Sequence, residues 1–468
     1  MNMLDSIQPP KSPTLPPRQS STAKRKSWFR LTIAIVMLIL LVVGIFVGSK
    51  LVIFAQKILE GSGTTFSFGK FFLAADKSLI GEKDGEIRIL LLGIGGENHE
   101  GGTLTDTMIV ATIKLPQNKT DEPQVSLFSI PRDLLVDIPG YDFRKINAAY
   151  ALAEAAEKGK GAAKAVTTVE KLLEASIPYY IVVDFQGFKK IIDDLGEVEV
   201  DVEQPFTDEL YPDEKNGYLP PVTFEKGKQT MDGTRALKYV RSRHGSNNQG
   251  SDFARTKRQQ QVLKALKDKS TSFKVLTNLN LLSQVLEDLS DHIRTNLALH
   301  ELKHLYDLAR GLKRENILSQ TLDVESGVLC NKTVEETGAY VLIPCADIQN
   351  YSVIRNLFDH QFELAPLLAE SASIEIQNTS QVESLGRKIQ ENLGSSGLHI
   401  ETTNFKGQTT YTESIIYDNT DGKKPKTLAY LRKTLTLPVA QSPFPFPTFG
   451  QSPDFVIIIT RDMEGKLP

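Results

Sequence analysis

Arg241 and Arg243 stand one residue apart, and Asp252, Arg255 and Gln259 follow at spacings of three and four. On an extended segment the first pair turns both guanidinium groups to one side. On a helix the second set shares a face. Converging across the intervening loop, these groups would cradle a dianion, because guanidinium forks match phosphate oxygens bidentately. Between Arg235 and Arg258 the cations are Arg235, Lys238, Arg241, Arg243, Arg255, Lys257 and Arg258, against Asp252 alone, although the whole chain carries a net charge of −3. A solvated charged face is the bland alternative, and the scarcity of acids in the window brings the two readings level.

Other segments add chemistry. In Thr105-Asp106-Thr107-Met108 a carboxylate opens an apolar run, and in Ser129-Ile130-Pro131-Arg132-Asp133 an arginine lies just past another. Strand ends in α/β sheets are where ligands gather. Lys145, Asn147 and Tyr150 follow in one short segment. Each has an ordinary reading too, since an aspartate before a strand often ends a turn and Pro-Arg-Asp makes a tight corner. The glycines of Gly93-Ile94-Gly95-Gly96-Glu97-Asn98-His99 serve equally as turn residues or as points of close backbone approach to phosphate.

The elements that must position these residues alternate between strand and helix. Ile87 to Gly93 is a continuous apolar run of the kind found in buried strands, and Met108 to Ile113, Val125 to Ile130 and Tyr180 to Val183 read as further strands. Residues 146–175 read as helical with a break at Gly159 and Gly161, and Phe188 to Leu195 as a short helix. Val198 to Val202 alternates apolar and acidic residues, as a half-exposed strand does. A long helix starts at Ser251 or Asp252, either of which can cap it, and runs to about Lys267; two more helices fill 276–312. The pattern predicts a layered α-β-α domain with a central mixed sheet over 85–360. A small α/β domain over 372–462 follows, with strands at Ile374–Ile376, Leu398–Thr402, Ser414–Tyr417 and Phe455–Thr460 and helices at Val382–Leu393 and Pro425–Leu435. Ile181, Val183, Phe185, Phe188 and Ile191 are candidates for an apolar groove, although core packing explains such residues more often.

The 468-residue chain is 24% charged and 40% hydrophobic, an ordinary globular balance that names no function. Leu31 to Gly48 is uncharged throughout, long enough with Leu51 to Ala55 to cross a bilayer. Lys11, Arg18, Lys24, Arg25, Lys26 and Arg30 precede it against Asp5 alone, which predicts a single-pass anchor over 29–55 with a cytoplasmic N-terminus. The expected order is a disordered tail (1–28), the anchor, a linker (56–84) and extracytoplasmic domains. The lack of a small-residue cleavage site after Gly48 favours an uncleaved anchor over a signal peptide. Cys330 and Cys345 fall on the predicted external side, where a disulfide can persist; whether they pair is left open by the sequence, and zinc is disfavoured because no further ligand stands at suitable spacing.

Taken in order, the anchor, ILLLG (89–93), TDTM (105–108), SIPRD (129–133), KINAAYA (145–151), VDFQGFKKIIDDLGEVEVDV (183–202), MDGTRALKYVRSR (231–243) and DFARTKRQQQ (252–261) resemble the LytR-CpsA-Psr family of bacterial cell-envelope proteins. The likeness covers about 85–350, and the unit from Ala372 looks like a small domain often appended in that family. The resemblance implies a phosphotransferase that moves a glycopolymer from a polyprenyl pyrophosphate carrier to peptidoglycan with Mg²⁺ or Mn²⁺, with pyrophosphatase activity as an accompanying reaction. It assigns metal binding to Asp106 and the pyrophosphate clamp to Arg132, Arg241, Arg243 and Arg255. Asp252 is the candidate base or supporting carboxylate, and Lys145, Asn147, Tyr150, Arg258 and Gln259 the substrate-binding ring. One departure is plain: where many members carry an aspartate after the ILLLG strand, this chain has glycine, leaving Glu97 as the candidate second ligand.

Two other classes compete. An arginine-rich patch also suits a nucleic-acid backbone, as in a transcriptional attenuator, but the predicted topology puts the domain where no cytoplasmic DNA is met. A non-catalytic glycopolymer scaffold would fit the missing aspartate. Metal-dependent turnover of a polyprenyl pyrophosphate separates the enzyme from the scaffold.

Overall fold

A computed structural model describes residues 78–465, apart from 98, 100, 119–120, 214–216, 271–290, 323, 325–326, 336, 405–410 and 446–451. The expected anchor and tail, and the expected helix between 276 and 290, lie outside the described residues. Among those described, no helix is long and apolar enough to cross a membrane.

The first half runs β1 (Glu86–Ile94), β2 (Thr105–Lys114), β3 (Gln124–Ser129), β4 (Leu135–Ile138), β5 (Asp142–Lys145), α1 (Ala148–Ala156), α2 (Gly161–Leu173), β6 (Tyr179–Asp184) and α3 (Phe185–Asp194). It continues with β7 (Val198–Val202), β8 (Phe206–Asp208), β9 (Val222–Phe224), β10 (Gly227–Met231), α4 (Gly233–Arg241), α5 (Asp252–Ser270), β11 (Ile293–Thr295), α6 (Leu299–Gly311) and β12 (Ile317–Thr321). The central sheet has the order β11-β6-β1-β2-β3-β12. It is mixed: β1 pairs antiparallel with β2 and parallel with β6. The middle of β1 and β2, Ile89–Leu92 and Met108–Ala111, is a continuous apolar run because both faces are covered. On β1, Leu90, Leu92 and Ile94 join the core that includes Val169 and Leu172 of α2, while Ile87 and Ile89 face Leu302 and Leu305 of α6. The layered α-β-α architecture with a central mixed sheet is thus as expected.

A side unit packs β7 to β10 and α4 around Phe206, Phe224 and Tyr239, with Ile192 of α3 and Val262 of α5 closing it. The disulfide hairpin β13 (Leu329–Thr333) and β14 (Tyr340–Pro344) follows, its Cys330 and Cys345 bridged. Then come α7 (Ser352–Asp359) and α8 (Gln361–Leu368), β15 (Ser373–Asn378), α9 (Glu383–Gly394), β16 (His399–Asn404), β17 (Ile415–Asp418), α10 (Pro425–Leu435) and β18 (Phe455–Ile459). The last strands form a second sheet in the order β16-β15-β18-β17. Helices α7 and α8 lie between the sheets: Phe358 meets Phe128 of β3 edge-on at 5.3 Å, and one apolar core runs from Leu90 through Phe358 and Leu367 to Ile374 and Ile457.

Candidate functional site

Asp106, the second residue of β2, is the hub of a charge cluster drawn from four separate segments. Arg132 Nη1 and Arg243 Nη2 each donate to its Oδ1 at 2.9 Å, and Arg255 Nη2 donates to its backbone carbonyl at 3.3 Å. Arg132 Nε reaches Asp252 Oδ2 at 3.2 Å and lies 3.3 Å from Asp133 Oδ2. Asp133 also accepts from Lys145 Nζ at 2.7 Å, and Asp252 Oδ1 lies 3.3 Å from Arg255 Nη1. Asp106, Arg132, Asp252, Arg255 and Gln259 line one cleft, floored by Ser129 and Ile130 at the end of β3.

Local structure explains these placements. Arg132 sits in the turn after β3, closed by Leu134 N donating to Pro131 O at 3.1 Å and fastened by Asn147 N donating to Arg132 O at 3.2 Å. Asp252, Arg255 and Gln259 share one face of α5, as their spacing requires. Ser251 takes the capping role, its Oγ accepting from Ala254 N at 3.1 Å, so the Asp252 carboxylate can brace Arg132 and Arg255 instead. Arg243 is set by Asp208, a fully buried carboxylate that sequence reasoning missed. Asp208 accepts from the amides of Leu210, Arg243 and His244 at 3.0, 3.1 and 3.2 Å and from the Ser242 hydroxyl. Nothing local in Thr207-Asp208-Glu209 points to a partner at Ser242; only the residue's complete burial reveals it.

The remaining candidates are placed otherwise. Arg241 and Arg243 do not share an extended segment: Arg241 is the last residue of α4, and the chain turns at Ser242. Arg241 therefore stacks on Phe185 at 4.2 Å, with Tyr211 at 5.8 Å, and its Nη2 lies 3.0 Å from His99 Nε2. Phe185, an expected groove residue, is thus a platform for this guanidinium. Arg258 is buried and serves the frame: it donates to the carbonyls of Tyr239 at 2.8 Å, Gln249 at 2.9 Å and Ser242, and stacks on Phe206 at 4.8 Å. Tyr150 is likewise buried, its hydroxyl held by Arg294 Nη1 at 3.1 Å. Asn147 ties β2 to the Arg132 turn, its carbonyl accepting from Thr105 N at 3.3 Å. Glu97 is exposed and faces Lys158 Nζ at 4.0 Å, a surface pairing rather than a place beside Asp106.

The electrostatics are those of a prearranged anion site. Burial opposes the charge on Asp106, but Arg243, Arg132 and Arg255 outweigh it and hold the carboxyl below the ordinary 3.8. Burial likewise disfavours the Arg132 cation, and Asp252, Asp133 and Asp106 overcome it, so its pKa rises. Arg255 goes the other way. Its burial, aided by repulsion from Arg243 and Arg132, lowers it to about 10; its buried Nε donates no hydrogen bond, and its Nη1 meets Asp252 only as an ion pair. A buried guanidinium with an unused donor beside further cations is the chemistry of a site awaiting phosphate oxygens.

The sequence pattern of the LytR_cpsA_psr family matches residues 58–352. Among relatives, the chain is 34% identical over 233 residues to the polyisoprenyl-teichoic acid–peptidoglycan teichoic acid transferase TagV of Bacillus subtilis (strain 168), an alignment covering 49% of this chain and 54% of that protein. It is 27% identical over 323 residues to TagT of the same organism, a transferase of the same description, covering 69% of this chain and 91% of that one. A crystal structure of B. subtilis TagV superposes with a TM-score of 0.45 at 29% identity, over 59% of this chain and 97% of that one. With the family pattern matched across well over half its length, this chain belongs to the LytR_cpsA_psr family.

Proposed function

We propose that this protein transfers a glycopolymer from a polyprenyl pyrophosphate carrier to a sugar hydroxyl of peptidoglycan, at the Asp106 cleft. The observation that carries the reading is that Asp106, Arg132, Asp252 and the buried Arg255, drawn from separate segments, line one cleft, with Arg255 Nε left without a hydrogen bond. The names of TagV and TagT, transferases of teichoic acid to peptidoglycan, support it.

In this reading Arg132, Arg243 and Arg255 bind the pyrophosphate and stabilise charge on the departing phosphate without having to reorganise. The acceptor oxygen bonds to the sugar-side phosphorus, the bridging P–O bond breaks, and polyprenyl phosphate leaves. Asp252, at the open side of the cleft with 35% of its side chain exposed, takes the hydroxyl proton. The loose transition state of phosphoryl transfer demands little of that base. Arg241, stacked on Phe185, extends the cationic wall toward the carrier.

A divalent ion fits this donor set as a shared ligand. Both side-chain contacts to Asp106 fall on Oδ1, which leaves Oδ2 for a cation. Mg²⁺ commonly takes one or two carboxylates and completes its shell with phosphate and water. Among the described residues no group of three or more His, Cys, Asp or Glu could hold a metal unaided. When bound, Mg²⁺ or Mn²⁺ would neutralise phosphate charge as a Lewis acid. The anchor over 29–55 belongs to the same proposal, because tethering keeps the domain beside a carrier dissolved in the bilayer.

The test is transfer of labelled glycopolymer from its polyprenyl pyrophosphate to peptidoglycan fragments by the full chain with Mg²⁺. Asp106→Ala and Arg241→Ala should abolish turnover while far-UV circular dichroism stays native. Full activity in either variant rejects the assigned site, and metal-independent binding without turnover favours a scaffold.

A further inference from the structure

The turn that carries Arg132 is held from two sides. On one, Leu134 N and Asn147 N close it, and the Asp133 carboxylate pairs with Arg132 Nε and Lys145 Nζ. On the other stands β14. Leu342 N donates to Asp133 O at 2.9 Å, and Leu342 pairs with the fully buried Leu134 in a parallel bridge. Whatever fixes the Asp133 backbone therefore fixes the carboxylate that faces Arg132 Nε at 3.3 Å.

The support of β14 is itself divided. Val341 and Leu342 are buried and anchor its middle. Its partner β13 is less secure: every residue from Cys330 to Thr333 is exposed, so the backbone ladder and the Cys330–Cys345 bridge hold it in place. The bridge joins residues 15 apart and closes the hairpin at its base, where Cys345 N donates to Val328 O at 3.1 Å. So short a link ties no distant parts of the fold together. Its effect is local, keeping β13 on β14 and hence Leu342 at Asp133. Both cysteines are exposed, and exposed bridges are the ones that thiolates reach and reduce.

We propose that the Cys330–Cys345 bridge is a reducible strut for the anion site: closed, it sets Arg132 for pyrophosphate, and opened, it frees the Asp133 turn while the domain stays folded. The reductant is a dithiol. One of its thiolates attacks a bridge sulfur and displaces the other cysteine, and its second thiolate resolves the mixed disulfide. The S–S bond breaks, the two cysteines take up two electrons and two protons, and the dithiol leaves as a disulfide. Leu329 and Leu342 remain in the apolar core, which keeps the opened hairpin attached. The inference takes its purpose from the transferase reading, but the coupling of bridge to turn stands without it.

Three forms of the full chain test it: oxidised wild type, wild type reduced with dithiothreitol until both thiols titrate, and Cys330→Ser/Cys345→Ser. Amide hydrogen exchange should speed about tenfold at Leu134, Asn147 and Leu342 in both opened forms and stay unchanged in β1 and β6. Inorganic pyrophosphate should bind both about tenfold more weakly, the equivalent of one contact to a charged group, and reoxidation should restore wild type. In an Asp133→Ala background, opening the bridge should change the affinity by less than about twofold, because the carboxylate through which it acts is gone. Unchanged exchange at Leu134 and Leu342 overturns the strut. So does a pyrophosphate affinity that reduction leaves within about twofold. Loss of far-UV circular dichroism on reduction, or an undiminished effect in Asp133→Ala, also overturns it, making the bridge a support of the fold alone. If wild type transfers no glycopolymer while the exchange and pyrophosphate results hold, the transferase reading fails and the strut stands.

Discussion

Replacing Arg255 with methionine should make the protein more stable and unable to bind pyrophosphate. Folding lowers this guanidinium from its ordinary value to about 10, burial being the largest cause. That displacement means a charge held about 3 kcal/mol less favourably in the fold than in the unfolded chain. The sign is fixed by the direction: below about 10 the residue is charged in both states and the whole penalty applies, and it is relieved only as pH rises from there toward the unfolded chain's higher value. Methionine fills a similar volume without charge. Against the gain stands the lost hydrogen bond to the Asp106 carbonyl at 3.3 Å, worth about 1–2 kcal/mol, the attraction to Asp252 being already contained in the displacement. Asp252 keeps Arg132 as a partner. A net stabilisation of about 1–2 kcal/mol remains, which in a chain of this size raises the melting temperature by a few degrees.

The assay is thermal unfolding at neutral pH with and without inorganic pyrophosphate. Wild type should melt lower in buffer and rise with the ligand; Arg255→Met should melt higher in buffer and ignore it. A variant destabilised by about 2 kcal/mol or more would show that the neighbouring carboxylates fully compensate the buried charge. A ligand-induced rise as large as wild type's would remove Arg255 from the anion site.

Asp106→Asn should flatten the acid side of the stability profile. The wild-type carboxyl titrates below 3.8 in the fold, so its stabilisation is complete above that value and disappears as pH falls through the lower folded one; melting curves between pH 2 and 7 for both proteins check this. Asp208→Ala should cost about 3 kcal/mol, because it strips three amides and a hydroxyl of their buried acceptor, and it should lower turnover by releasing Arg243; native turnover in the variant would sever that link. His99→Ala should free one side of Arg241 and raise the donor KM about tenfold, with His99→Gln partly restoring it; a donor KM equal to wild type's would show that Phe185 alone positions the guanidinium.

The strands and helices were legible wherever a local pattern decided them. Val198–Val202 forms a strand with those bounds because its alternation matches a half-buried edge, and Pro425–Leu435 starts at a proline suited to the first helical turn. Strand β11 was missed, since three residues carry no periodicity and only their pairing with β6 makes them a strand. Arg241 was misplaced despite an available signal: Ala236, Tyr239 and Val240, all buried, have the spacing of a helix face that reaches Arg241. Arg258 could not be separated by sequence from its charged neighbours, because what buries it are carbonyls and rings brought in by the fold. The same reason governs the site as a whole. The scarcity of acids around Arg241 to Arg258 suggested cations waiting for an anion, yet counter-charges exist: Asp106 arrives from β2 and Asp133 from the turn after β3, while Asp208 from β8 fixes the Arg243 backbone amide. They brace Arg132 and Arg243 and leave Arg255 incompletely paired. A solvated charged face would show each cation loosely matched at the surface. Here carboxylates from distant segments hold Arg132 and Arg243, while the buried Arg255 keeps an Nε that donates to nothing, and that difference gives the charge run a function rather than mere solubility.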